Sequence, residues 1–293
     1  MKKIVLFEDL GSNRSYKEIW DLQESILQDN VRRKAEDGRQ KIKDRSQKSE
    51  VGNQKSEVGN QKSELHQLAT NNSQLTTDNS QLITDNSHLT TDNLQLAPQN
   101  HLLFVEHNPV YTLGKSGDIN HVLINDKDRE EKGIEFFKIN RGGDITFHGP
   151  GQLVGYPILD LEGFKTDLGW YLRQLEEVII LTMSEYGLKG DRSKGETGVW
   201  MDPKVKGRER KICAMGIRCS RWITMHGFAF NINTDIDYFN YIIPCGIENK
   251  QVTSLEKELG YKVPMVEVKQ KVKNNFERVF NVEVIETIAT YKT

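Results

Sequence analysis

Cys245 stands between Pro244 and Gly246 in IIPCGIENKQVTSL, residues 242–255. Proline drives Ile243 toward extended backbone and Gly246 permits a sharp turn, so the thiol can sit at the tip of a turn. A cysteine in such a place is either an inert small residue or a nucleophile. Nucleophilic work needs the thiolate, which a nearby cation favours. Lys211 is a candidate cation. It opens the apolar stretch RKICAMGIRCSRWITMHGFAFNI, residues 210–232. A lysine at a strand start is otherwise a solvated flank, and spacing alone does not bring Lys211 to Cys245. His226-Gly227 interrupts the same stretch, a place that structural histidines also fill.

The densest signal is RGGDITFHGPGQLVGYPILDL, residues 141–161. Glycines 142, 143, 149, 151 and 155 let backbone approach a ligand closely and leave N–H groups free as donors. On glycine count alone the stretch reads as tight turns between strands. Arg141, His148 and Gln152 sit among these glycines, where turns need none of them. The Gly-x4-Gly-Lys-Ser/Thr order of a phosphate loop is missing.

Elements of mixed type must position these residues. Ile4 to Phe7 reads as a strand. It leads through Gly11 into a helix whose Ser15 and Glu18 have capping-box spacing, with Ile19, Leu22, Ile26 and Leu27 as the buried stripe. Leu102 to Val105 and Val110 to Leu113 read as strands split by Asn108-Pro109, and Phe136 to Ile139 as another. A long helix begins near Asp167, turns Leu168, Leu172, Leu175, Ile179 and Met183 inward, and stops at Gly187. Val199-Trp200, Lys211 to Arg218 and Trp222 to Asn231 read as strands. A last helix opens at Pro264 with Val268, Val272, Phe276 and Val279 on one side. No regular βαβ rhythm is present, so the expected class is a mixed-sheet α/β or α+β domain.

Composition narrows the setting. No Phe, Trp or Tyr occurs from Asp21 to Leu103. Within that window QKSEVGN occurs at 47–53 and again at 54–60. A second seven-residue repeat runs through ATNNSQL (69–75), TTDNSQL (76–82), ITDNSHL (83–89) and TTDNLQL (90–96). Leu68, Leu75, Leu82, Leu89 and Leu96 form one stripe, but the positions that should complete a seam hold Asn or Asp. With so little apolar surface to bury, residues 31–100 are expected to be an unstructured insert. Residues 1–30 and 101–293 are expected to form one domain. No apolar run approaches the roughly 18 residues of a membrane span, and Ile4 to Phe7 is too short for a signal-peptide core. A formal charge of −2 argues against a general nucleic-acid or membrane-surface binder. Cysteines at 213, 219 and 245 make neither a disulfide framework nor a paired zinc pattern, so no metal is expected and the thiols are read as reduced and cytoplasmic.

Together the stretches resemble the octanoyltransferases, also called lipoate–protein ligase B. The likeness runs from DLGSNRSYKEIWDLQ (9–23) through EHNPVYTLGK (106–115), RGGDITFH (141–148) and TGVW (197–200) to PCGI (244–247) and TSL (253–255). It implies the catalytic-domain fold of the biotin/lipoate protein ligases. It also implies transfer of octanoyl, or lipoyl, from acyl carrier protein to a specific lysine of a lipoyl domain, without a cofactor. The acceptors it implies are the lipoyl domains of 2-oxoacid dehydrogenase complexes and the glycine cleavage H protein. By this likeness Cys245 matches the acyl-thioester nucleophile and Lys211 the residue that lowers its pKa. Arg141, Gly142, Gly143, Asp144, Ile145, Thr146, Phe147, His148, Ala214, Met215, Gly216, Gly227, Phe228 and Ala229 match the segments lining the acyl substrate, with His226 and Gln152 as supporting candidates. Cys213 stands where a small apolar residue is more usual, which adds a thiol near the site. The alternative on the same fold is an ATP-dependent lipoate or biotin ligase, whose acyl-adenylate chemistry needs no nucleophilic cysteine.

Overall fold

The computed structural model describes residues 2–61, 99–244 and 251–287. The chain divides into two units, residues 1–27 with 99–293 and residues 28–98. In the first, strand β1 (Lys3–Asp9) leads to helix α1 (Tyr16–Gln61), and β2 (Asn100–Val105) pairs in parallel with β1, Val5 opposite Asn100. Strands β3 (Val110–Leu113), β4 (Glu135–Lys138) and β5 (Ile145–His148) follow, with the short helix α2 (Asp126–Glu131) between β3 and β4. Next come β6 (Gln152–Ile158), helix α3 (Leu168–Ser184), β7 (Val199–Met201), β8 (Arg210–Ser220) and β9 (Ile223–Asn231). The last elements are β10 (Gln251–Val252), α4 (Leu255–Leu259), α5 (Met265–Phe280) and β11 (Val282–Glu286).

The strands make two sheets of mixed direction. The larger has the order β10-β8-β9-β6-β2-β1-β11, with β7 also paired to β8; the smaller has the order β4-β3-β5. Helices α3 and α5 cover one face of the large sheet. Tyr171, Leu175, Val178, Ile179 and Met183 of α3 and Val268, Val272, Phe276 and Phe280 of α5 are buried with Phe104, Ile212 and Phe230 of the strands. The small sheet has its own core, in which Tyr111, Ile145 and Phe147 pack with Phe239 and Ile242.

Local chemistry accounts for the helix ends. Asp167 caps α3 by accepting from the Trp170 N–H at 2.9 Å. At its other end Gly187, at φ +74°, donates to the Ser184 carbonyl and Leu188 to that of Met183, a Schellman closure. Leu168 is exposed rather than inward: it lies in the first turn, and the buried stripe starts at Tyr171. Trp222 lies in the turn before β9, at φ +66°. The glycine-rich stretch holds two fully buried strands, β5 and β6, where turns were expected. Gly155 fits inside β6 because the Phe228 ring covers it; an added Cβ would meet that ring at 2.1 Å.

In the second unit, composition predicts an unstructured chain from residue 31, whereas α1 continues to Gln61. Ion pairs from Arg33 to Asp29 and from Lys41 to Asp37, each at 2.6 Å and four residues apart, support its described part. The second repeat and the Leu68–Leu96 stripe lie outside the described residues. Among the described residues, no helix is long and apolar enough to cross a membrane.

Candidate active site

Two adjoining cavities lie along β8. The inner one is narrow, with a cavity volume of about 50 Å³. It is lined by Tyr16, Arg141, Gly143, Asp144, Thr146, His148, Val154 and Tyr156, and by Ala214 to Gly216 and His226 to Ala229 of β8 and β9. The outer one shares Gly143, Asp144, Met215 and Gly216 and adds Ser116, His121, Gly142, Leu172, Glu196, Thr197, Lys211 and Ile217. Lys211 and the 142–144 part of the loop line the same outer cavity. Ile145 and Phe147 line neither cavity: β5 alternates, turning Thr146 and His148 toward the inner one and Ile145 and Phe147 into the core of the small sheet. Cys245 lies outside the described residues. Cys213 faces the large-sheet core, not the site, and burial pushes its thiol pKa up, so it adds no reactive thiol here.

Close approach of backbones builds the wall. The Gly142 N–H donates to the Ile217 carbonyl at 2.9 Å, laying the 141–143 loop along β8. Gly216 permits this, because a Cβ there would stand 2.7 Å from the Gly142 oxygen and 3.0 Å from Arg141 Cδ. Arg141 is buried and donates to the carbonyl and hydroxyl of Thr112, at 2.7 and 3.1 Å. Asp144 pairs with His121 Nδ1 and accepts from the Asp118 N–H.

A chain of buried hydrogen bonds fixes the inner wall. Gln152 Nε2 donates to the Phe147 carbonyl (3.1 Å) and to Asn231 Oδ1 (2.9 Å), leaving its Oε1 to accept from His148 Nδ1 at 2.8 Å. His148 therefore keeps Nε2 free of a proton. Burial lowers its pKa to about 3, with the neighbouring imidazole of His107 and the Arg141 cation acting in the same direction. Gln152 holds His148 by this bond and does not itself line the cavity. His107 donates through Nδ1 to the Arg14 carbonyl (3.3 Å) and accepts the Tyr156 hydroxyl at Nε2 (2.7 Å). Burial lowers its pKa to about 4.

The chain continues from this wall to Lys211. Asn231 Nδ2 donates to the Thr253 carbonyl (3.0 Å), and the Thr253 N–H donates to the Lys211 carbonyl (3.0 Å). The Thr253 hydroxyl and Arg210 both hold Glu258 of α4, at 2.6 Å. Ser254 caps α4 and Leu255 is buried beneath it, which gives each residue of TSL a structural task. The Lys211 ammonium lies 4.6 Å from the centre of the Trp200 ring. The loop carrying Glu196 and Thr197 is pinned by Glu176. One oxygen of this fully buried carboxylate accepts from the Gly198 N–H and the other from Arg173 and Arg192. Gly198, at φ +115°, leaves no room for a side chain; its Cβ would stand 2.4 Å from the Cys213 oxygen.

Sequence reasoning missed the lining residues Tyr16, Ser116, His121, Val154, Tyr156, Leu172, Glu196, Thr197 and Ile217, and His107, which bonds Tyr156. Tyr16, Val154, Tyr156, Glu196, Thr197 and Ile217 lie inside or beside the quoted stretches, but nothing local marks them as cavity residues.

Residues 85–277 match the family model of the lipoyl protein ligase A/B catalytic domain. The octanoyltransferase of Flavobacterium johnsoniae is 46% identical over 286 residues, 97% of this chain and 100% of that protein. That of Christiangramia forsetii is 60% identical over 187 residues, 64% of this chain and 80% of the relative. Two solved structures share the fold. A bipartite lipoate protein ligase from Thermoplasma acidophilum matches with a TM-score of 0.53 at 17% identity, over 66% of this chain and 75% of that one. A lipoate-protein ligase A bound with ATP gives 0.54 at 17% identity, over 66% and 77%. The chain belongs to the octanoyltransferases, a family of acyltransferases built on the lipoyl protein ligase A/B catalytic domain.

Proposed function

We propose that the protein transfers an octanoyl group from an acyl carrier protein thioester to a lysine of lipoyl domains, through an acyl thioester on Cys245. The acceptors are the lipoyl domains of 2-oxoacid dehydrogenase complexes and the glycine cleavage H protein. Residues 1–30 and 101–293 supply the catalytic domain, and the reading assigns no catalytic task to the 31–100 insert.

The observation that carries this reading is the anchoring of the chain on either side of residues 245–250. Before them, the Ile243 N–H donates to the His121 carbonyl at 2.8 Å; after them, the Thr253 N–H donates to the Lys211 carbonyl. His121 and Lys211 line the same outer cavity. The inner cavity supplies the apolar surface that an acyl chain needs, from Val154, Met215, Phe228 and Ala229. Each buried methylene contributes roughly 0.8 kcal/mol.

The chemistry runs in two displacements. The Cys245 thiolate attacks the donor carbonyl, the bond to the carrier sulfur breaks, and that sulfur leaves with the proton of the Lys211 ammonium, which becomes a neutral amine. The acceptor lysine amine then attacks the Cys245 thioester. Its proton passes to deprotonated Lys211 as the amide forms and the Cys245 thiolate returns. Backbone N–H groups of the glycine-rich wall suit the oxyanion of each tetrahedral intermediate. A thioester is already activated, so the reaction needs no nucleotide.

The test is transfer by purified protein from octanoyl carrier protein to a lipoyl domain, with and without ATP and Mg²⁺. Amide formation without nucleotide, abolished in Cys245→Ala, is expected. A strict nucleotide requirement would contradict the reading and favour a ligase.

A further inference from the structure

The polar groups of the inner cavity are not equally provided for. His148 is held by Gln152, Tyr156 by His107 and Arg141 by Thr112. His226 lines the same cavity, is 2% exposed, and has no hydrogen-bond partner at either ring nitrogen. A buried polar group left unpaired is costly. Its backbone is also unfavourable: φ is +61°, in the left-handed region that residues with a Cβ rarely adopt. Two unfavourable features at one cavity residue point to a task for the ring.

Position and surroundings define that task. In the β8–β9 ladder His226 faces Ile217, six residues along β8 from Lys211, or ~20 Å at the rise of a strand. It lines the inner cavity, which Lys211 does not reach. Val154, Phe228 and Ala229 of the same cavity are apolar. Burial keeps the imidazole neutral, with its pKa lowered to about 3 and Arg141 and Arg218 acting in the same sense. The ring thus offers one N–H donor and one bare nitrogen acceptor.

Resting on the acyl-transfer reading above, we propose that His226 is a specificity-determining residue at the distal end of the acyl site. The site takes medium-chain acyl groups with a hydroxyl on the last carbon as well as saturated octanoyl. A hydroxyl that enters an apolar site unpaired loses its hydration without return. Against His226 it regains a hydrogen bond and gives the ring the partner it lacks. A purely hydrocarbon chain gains burial but leaves the ring unpaired, so the two classes are brought close together in reactivity.

The test uses the full-length protein with octanoyl and 8-hydroxyoctanoyl carrier protein as donors to one lipoyl domain, reading kcat/KM for each. The wild type is expected to use the hydroxylated donor at no less than one tenth of the octanoyl value. His226→Leu is expected to lower that ratio at least tenfold. His226→Asn, which tolerates the left-handed backbone and keeps a donor and an acceptor, is expected to hold the ratio within threefold of wild type. A wild-type ratio below one tenth, or a ratio that His226→Leu leaves unmoved, overturns the assignment. The wild-type ratio requires no variant, so a misfolded His226→Leu does not shield the proposal. Failure of the wild type to transfer octanoyl itself would contradict the acyl-transfer reading and this inference with it.

Discussion

The backbone N–H of Thr253 donates to the carbonyl of Lys211 at 3.0 Å. This bond ties the chain that follows residues 245–250 to the lysine proposed to activate Cys245. Lys211→Ala should therefore cut turnover by about 10²-fold or more. It should also raise the pH at which an iodoacetamide-type reagent alkylates Cys245, because the thiolate loses its cation. An alkylation profile that matches wild type would remove Lys211 from that role.

Gln152 joins His148 to Asn231, and through it to Thr253. Gln152→Leu leaves His148 Nδ1 and Asn231 Oδ1 buried without partners, at a cost of about 1–3 kcal/mol for each group left unsatisfied. Thermal unfolding should show a lowered Tm, and donor KM should rise because His148 is no longer held. A variant with wild-type Tm and KM would show that the chain of bonds does not position the wall.

His107, His148 and His226 are buried as neutral rings, with pKa values lowered to about 4, 3 and 3 by desolvation. Their folded values lie below the unfolded value of about 6.5, so the unfolded chain binds the extra protons between these limits. The stability they contribute is complete above about pH 6.5 and is lost as the pH falls toward 4. Each contributes a slope of up to ~1.4 kcal/mol per pH unit. Urea unfolding from pH 7 to 4 should show that slope, shallower in His226→Asn than in wild type. Equal slopes would mean that the ring is not held neutral.

Gly216→Ala sets a methyl group 2.7 Å from the Gly142 oxygen. The 141–143 loop must lift from β8, at about 1–3 kcal/mol. Transfer should fall while the protein remains folded by circular dichroism. Unimpaired transfer would show that the close seat of the loop is dispensable.

Much of this was legible in the sequence, and the misses have physical reasons. Asp167 and Gly187 bounded α3 correctly because cap chemistry is local. Strands β5 and β6 hid behind glycine content: Gly155 is tolerated in a strand only because Phe228, more than seventy residues away in sequence, fills its place. Strand β11 is only five residues long, and its alternation in Val282-Glu283-Val284 is too brief to mark a strand beside α5. At the site, Arg141, His148, Lys211 and the β8–β9 segments were legible as motifs. Tyr16, His107 and Tyr156 were not, since they meet only when β1, β2 and β6 are paired. The 31–100 boundary was read from composition; removing 31–97 and bridging the gap with a short glycine-serine linker should keep transfer within a few-fold, and its loss would give the insert a role.

The most direct test of the central claim is the intact mass of the protein after mixing with octanoyl carrier protein and no acceptor. The account predicts a covalent species about 126 Da heavier, absent in Cys245→Ala and discharged when a lipoyl domain is added. Rapid transfer by wild type with no such species, or transfer by Cys245→Ala at the wild-type rate, would contradict it.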